Sequence, residues 1–181
     1  MKYLSLLFAL ILSVSLSAQG KYLTKTGTVN FEASVPSFEE IKASNKNTTA
    51  IINTDNGEFA ALVLVKGFRF KNALMEEHFN ENYAESDEYP KATFKGKISD
   101  FSLDKLNTET TFKFSGSITF HGKTKILENE TMRITASDGG LEVTGNFKVN
   151  VADFDIEIPK IVSNKLSRDV SVNYEFVLNK R

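Results

Sequence analysis

The sequence predicts an all-β domain: a closed antiparallel barrel of about eight strands with one short helix. Three observations carry that prediction. Segments of period-2 alternation follow one another along most of the chain, each with one apolar and one polar face. Turn signals separate them at short intervals, at Asp55-Asn56-Gly57, His121-Gly122 and Asp138-Gly139-Gly140. Only one stretch has helical spacing, too little to cover seven or eight half-apolar strands, so the sheet should close on itself. A two-sheet sandwich would produce the same alternation.

Residues 1–18 stand apart from this fold. Lys2 opens a basic segment, Leu4 to Leu16 is an apolar run, and Ser17-Ala18-Gln19 offers small residues for cleavage, the pattern of a secretory signal peptide cut near Ala18. The run is shorter than the roughly 20 residues a spanning helix needs, so no stable membrane insertion is expected. Residues 19–181 form one expected domain, periplasmic or secreted. The chain has no Cys, so it carries neither a disulfide nor an acylated lipoprotein cysteine, and its core must hold it together.

The first strand reads as Thr26 to Val35, where Val29, Phe31 and Ala33 alternate with Thr28, Asn30 and Glu32 until Pro36 ends it. Phe38 to Asn47, with Glu39, Glu40, Lys42 and Lys46, reads as a polar loop able to hold a helical turn, and Thr48 to Asn53 as the second strand. Glu58 to Phe70 is the longest strand expected and is apolar on both faces through Val65. Its outer face should therefore be covered, either by the helix that follows or by a subunit contact. Asn72 to Ala84 is that helix: Met75, Phe79 and Tyr83 recur at helical spacing with acids between them, and Asn72 can cap it.

Five strands are expected beyond it: Ala92 to Leu103, Thr110 to Phe120, Ile126 to Ala136, Leu141 to Val151 and Arg168 to Leu178. The clearest pattern is in Thr111 to Lys125, where Phe112, Phe114, Gly116, Ile118 and Phe120 share one face and Thr111, Lys113, Ser115, Ser117 and Thr119 the other.

Composition excludes several functions. Lys plus Arg number 22 against 23 Asp plus Glu, with no basic run to track a phosphate backbone, which argues against a nucleic-acid partner. Fifteen Phe, five Tyr and no Trp favour a wholly apolar interior over stacking platforms. His78 and His121 are the only histidines, so a zinc site would need carboxylates to complete it, and no metal is expected. His78 reads as a helix-surface or capping residue and His121 as a turn residue. No nucleophile elbow, phosphate loop or His-Glu-x-x-His occurs, and solvation explains the pairs Glu39-Glu40, Glu76-Glu77 and Asp87-Glu88. Neither a catalysed reaction nor a cofactor is expected.

A barrel of this size is either filled by its own side chains or holds one small ligand, and alternation alone favours the filled core. Two motifs point the other way. Glu88-Tyr89-Pro90-Lys91-Ala92-Thr93-Phe94-Lys95, followed by Gly116-Ser117-Ile118-Thr119-Phe120-His121-Gly122-Lys123-Thr124-Lys125, resembles the paired signature of the YceI family, and the resemblance runs in order from about Thr26 to Leu178. Two segments depart from the family pattern. Met75-Glu76 stands before His78-Phe79 where many members have Arg-Asp before His-Leu. Ala152-Asp153-Phe154-Asp155-Ile156 replaces an "RxDFGI"-like segment.

The resemblance implies a lipocalin-like barrel exported to the periplasm, with an elongated apolar cavity that holds a polyisoprenoid, such as an isoprenoid quinone or related lipid, without catalysis. With the alternation, it makes Phe68, Phe70, Phe94, Phe112, Phe114, Ile118, Phe120, Phe147, Tyr174 and Phe176 the expected cavity lining, with Met75 and Phe79 closing one end. Phe112, Phe114 and Phe120 follow most directly, because no apolar residue competes on the opposite face of their strand. The alternative is a structural or interaction module with a solidly packed barrel, using Glu58 to Phe70 for a homodimer or partner contact.

Overall fold

A computed structural model describes residues 20–106 and 108–181, so the leader expected at residues 1–18 lies outside the described residues. Nine strands form one antiparallel sheet: β1 Lys21–Glu32, β2 Lys42–Asn53, β3 Glu58–Leu64, β4 Arg69–Phe70, β5 Lys91–Ile98, β6 Thr110–Phe120, β7 Lys123–Ser137, β8 Gly140–Asn150 and β9 Asp169–Lys180. Their order is β1-β9-β8-β7-β6-β5-β3-β2-β4, and β1 pairs back onto β2. The result is an up-and-down barrel closed by the β1 to β2 pairing, the solution expected for half-apolar strands with little helix to cover them.

Local chemistry sets the turns. Phe120 pairs with Lys123 across a two-residue link in which His121 (φ 48) and Gly122 (φ 68) are both left-handed, the turn whose twist suits a hairpin. Gly139 (φ 79) does similar service between Ser137 and Gly140. In β7 the residues Glu128 and Asn129 oppose the single Ser115 of β6. Asn129 is left-handed (φ 55) and its N–H donates to the Ser115 hydroxyl at 3.0 Å, so this bulge restores the inward face of β7.

Several sequence expectations are corrected. The first strand begins at Lys21, because main-chain pairing with Ile51, Ile52 and Asn53 recruits residues that have no alternation of their own. The helical turn expected within Phe38 to Asn47 is absent, since Lys42 onward is strand β2, paired to Asn30, Phe31 and Glu32. Its inward positions there are Ala43, Asn45 and Thr48, too small or polar to announce a buried face. The strand expected from Ala92 to Leu103 stops at Ile98, where the chain turns through Asp100 (φ 52).

The long strand expected over Glu58 to Phe70 is broken by a single helical turn at Val65–Gly67. Asn45, 1% exposed, fills the break: its amide donates to the Leu64 carbonyl at 2.9 Å and its own carbonyl accepts from the Asn47 N–H at 2.9 Å. A side chain at Gly67 would meet that amide at 2.5 Å. The outer face of β3 is not covered by the helix: Ala60 and Leu62 are half-buried and Leu64 is 53% exposed.

The helix expected over Asn72 to Ala84 is present as α1, Ala73–His78, continued by a wider turn over Phe79–Tyr83. Asn72 caps it, accepting from the Leu74 N–H at 2.9 Å. The wider turn, closed by the Ala84 N–H on the Phe79 carbonyl at 2.8 Å, offsets the drift between a four-residue spacing and a 3.6-residue period. Met75, Phe79 and Tyr83 therefore stay on one face.

Candidate functional site

The barrel interior divides into two halves. Toward the end that carries Lys21 and Lys180, Ile52, Ile98, Leu106, Phe112, Met132, Ile134, Leu141, Val143 and Leu178 are all buried and belong to one apolar cluster. Toward the other end lies a cavity of about 390 Å³ with an almost wholly apolar lining, within the range of small-molecule sites.

Glycines on the inner face explain how a barrel so rich in phenylalanine stays hollow there. A side chain at Gly116 would meet the Phe94 ring at 2.7 Å, one at Gly27 the Phe176 ring at 2.4 Å, and one at Gly145 the Tyr174 hydroxyl at 2.2 Å. Each ring lies flat against a bare stretch of wall instead of projecting across the lumen. These rings join others at the cavity floor, where centroid distances of 5.3 Å (Phe59 to Phe94), 5.6 Å (Phe94 to Phe114) and 5.3 Å (Tyr174 to Phe176) mark direct aromatic contact.

The mouth is built by three long connections. From α1 and its wider turn come Met75, His78, Phe79 and Tyr83; from the β8 to β9 connection come Phe154, Ile156, Ile158, Val162 and Leu166; from the β1 to β2 connection come Ala33 and Ile41. Phe79 packs on Phe31, Phe68 and Phe70 with ring centroids 5.2 to 5.8 Å apart. Glu76 fixes the helix to β4, accepting from Arg69 at 3.0 Å and from the Phe70 N–H at 3.2 Å.

One side wall is not strand. The β7 to β8 ladder runs only from Ser137 paired with Gly140 to Met132 paired with Gly145, after which the two strands part. The turn Val151–Phe154 occupies the gap, with Phe154 only 2% exposed and its ring 5.6 Å from Phe120. Four polar links hold this plug. Lys125 pairs with Asp153, the Asn150 N–H donates to Asp153 at 2.8 Å, Lys123 pairs with Asp155 at 2.6 Å, and His121 Nδ1 lies 2.9 Å from the Phe154 carbonyl. The Lys125 ammonium, then the Asn150 N–H, hold the Asp153 carboxyl below the usual carboxylate range. Asp155 is left-handed (φ 54), a conformation Asp tolerates, at the position where the resembled segment has glycine.

His121 is more than the turn residue expected. Its Nε2 lies 2.7 Å from Glu85 Oε2, and the Tyr89 ring meets its own edge-on at 4.7 Å, so it links the helix loop, the β6 to β7 turn and the plug. His78 is exposed, as expected, at the rim of the mouth.

The structure brings Phe68, Phe70, Met75, Phe79, Phe94, Phe114, Ile118, Phe120, Phe147, Tyr174 and Phe176 together on the wall of this cavity. Phe112 stands apart from them. It faces inward as alternation requires, but it lies below the cavity floor in the packed half, its ring 5.4 Å from that of Phe101. Sequence reasoning missed Phe31, although its alternation was visible, and Phe59, Ala61 and Val63, whose strand is apolar on both faces and so shows no inward side. It also missed Phe154, Ile156, Ile158, Val162 and Leu166, whose irregular connection has no period to read. Among the described residues, no group of three or more His, Cys, Asp or Glu could hold a metal ion, and no helix is long and apolar enough to cross a membrane.

The sequence profile of the YceI-like domain matches residues 20–178. The chain belongs to the YceI-like family. No curated protein matches the sequence. Among solved structures, a polyisoprenoid binding domain from Saccharophagus degradans, implicated in plant cell wall breakdown, superposes with a TM-score of 0.76 at 15% identity, over 90% of this chain and 99% of that one. BcnA of Burkholderia cenocepacia is similar with a TM-score of 0.67 at 14% identity, over 84% and 95%. The Campylobacter jejuni YceI protein follows with 0.63 at 16%, over 81% and 89%. At such identities the likeness establishes the fold that this YceI-like chain shares with them.

Proposed function

We propose that this YceI-like protein is an exported, non-catalytic binding or carrier protein that holds a long-chain isoprenoid or similar lipid in the open half of its barrel. The observation that carries the reading is the cavity, about 390 Å³ and lined by rings and aliphatic side chains. Burial of a prenyl chain there supplies roughly 25 cal/mol per Å² of apolar area before the losses of association are subtracted. The polyisoprenoid-binding character of the Saccharophagus degradans neighbour supports the same ligand class, and the leader-like residues 1–18 support export.

The test is native mass spectrometry of the protein purified from a bacterial host without added lipid, followed by organic extraction. A stoichiometric extra mass that leaves as a prenyl lipid is the expected result. Phe114→Asp, which places a carboxylate at the cavity floor, should abolish uptake, whereas Lys113→Asp on the outer face should leave it intact. Equal effects of the two substitutions, or a protein that takes up no isoprenoid when quinones and prenols are offered, would remove the proposal.

A further inference from the structure

We propose that the deep end of the cavity is a polar subsite for a neutral oxygen function, a hydroxyl or carbonyl, on an otherwise apolar ligand, with the Tyr174 hydroxyl as its hydrogen-bond donor. This rests on the reading that the cavity takes an apolar ligand, and it adds which group that ligand carries and which end enters first.

Tyr174 lines the cavity and is 7% exposed, yet its hydroxyl has no hydrogen-bond partner. The rings against it, Phe176 at 5.3 Å and Phe147 at 6.3 Å between centroids, carry no polar atom. A phenylalanine would pack equally well in its place without stranding a hydroxyl away from water, which is destabilising. The wall is also cut back to admit that oxygen. Tyr174 pairs with Gly145, and a side chain on Gly145 would stand 2.2 Å from the hydroxyl.

Beyond Gly145 the β7 to β8 ladder ends, and β7 leads away through Glu130, a half-buried residue paired with Phe114 of the floor. Burial, and secondarily the Glu130 charge, push the Tyr174 hydroxyl well above the ordinary tyrosine range, so it stays a donor at any physiological pH. A ligand carbonyl or hydroxyl oxygen would accept from Tyr174. A carboxylate or phosphate would lose its water among the uncharged rings of the floor and is disfavoured. The matching ligand is therefore a neutral oxygenated lipid, inserted oxygen end first.

Calorimetric titration with three probes of one skeleton tests this: farnesol, farnesoic acid and the hydrocarbon farnesane. The protein should bind farnesol more tightly than either of the others. Tyr174→Phe should weaken farnesol about three- to tenfold, the range of one net hydrogen bond, leave farnesane unchanged, and keep or raise the melting temperature. Absence of a farnesol preference in the unsubstituted protein, or equal losses for farnesol and farnesane in Tyr174→Phe, overturns the subsite while leaving the cavity reading in place. A lowered melting temperature of Tyr174→Phe overturns it too, by showing that the hydroxyl is already satisfied within the protein. Failure of all three probes to bind the unsubstituted protein removes the cavity reading and the subsite with it.

Discussion

Asn45 shows how one polar residue shapes a wall of apolar ones. Buried at 1% exposure, it spends its amide on the Leu64 carbonyl and its carbonyl on the Asn47 N–H, satisfying main-chain groups that the break between β3 and β4 would otherwise strand. Asn45→Ala should therefore destabilise by about 1 to 3 kcal/mol, the penalty of leaving a buried carbonyl unpaired; thermal unfolding measures it, and a change of a few tenths would contradict the role assigned. Nothing in the polar stretch around Asn45 announces this, because its partner is contributed by a strand 19 positions away. His121 is similar. Its neighbour Gly122 made a turn legible, but Glu85 and the Phe154 carbonyl meet it only in three dimensions.

Elements behaved according to how strongly their pattern depended on neighbours. β6 has the bounds its alternation predicts, Thr110 to Phe120, and α1 begins at the cap its Asn predicts. The plug Val151–Phe154 was legible only as a family-like segment, since its conformation is set by side-chain links to β7. Those links make it acid-sensitive. The folded state lowers the Asp153 pKa, so this group contributes stability that is complete above the ordinary carboxylate value of about 4 and is lost as pH falls through the lowered folded-state value. Melting temperature followed from pH 7 to pH 2.5 should drop less steeply in Asp153→Asn than in the unsubstituted protein. Identical acid limbs would mean that the carboxylate does not hold the plug.

At the scale of the whole molecule, the division of the barrel into a packed half and a hollow half gives the same residue type two different roles. Phe112 belongs to the packed half and Phe147 to the cavity wall. Phe112→Ala should destabilise by about 3 to 5 kcal/mol through the void it leaves while sparing ligand uptake. Phe147→Ala, beside space that already exists, should be the milder in denaturant unfolding and the more damaging to uptake. A reversal of that order would show the division to be wrong.

What the sequence determined by itself is the closed barrel, the faces of those strands that alternate, the helix that begins at Asn72 and the apolar character of the interior. These follow from local period, turn chemistry and the need to leave no sheet edge open, all of which are written in consecutive residues. What only the tertiary structure decided is where the interior is full and where it is empty. That depends on which rings lie over which glycines on neighbouring strands, on the point where β7 and β8 part, and on how an irregular connection folds back into the gap. Those are contacts between residues far apart in the chain, and no period along one strand encodes how far a ring on the next will reach.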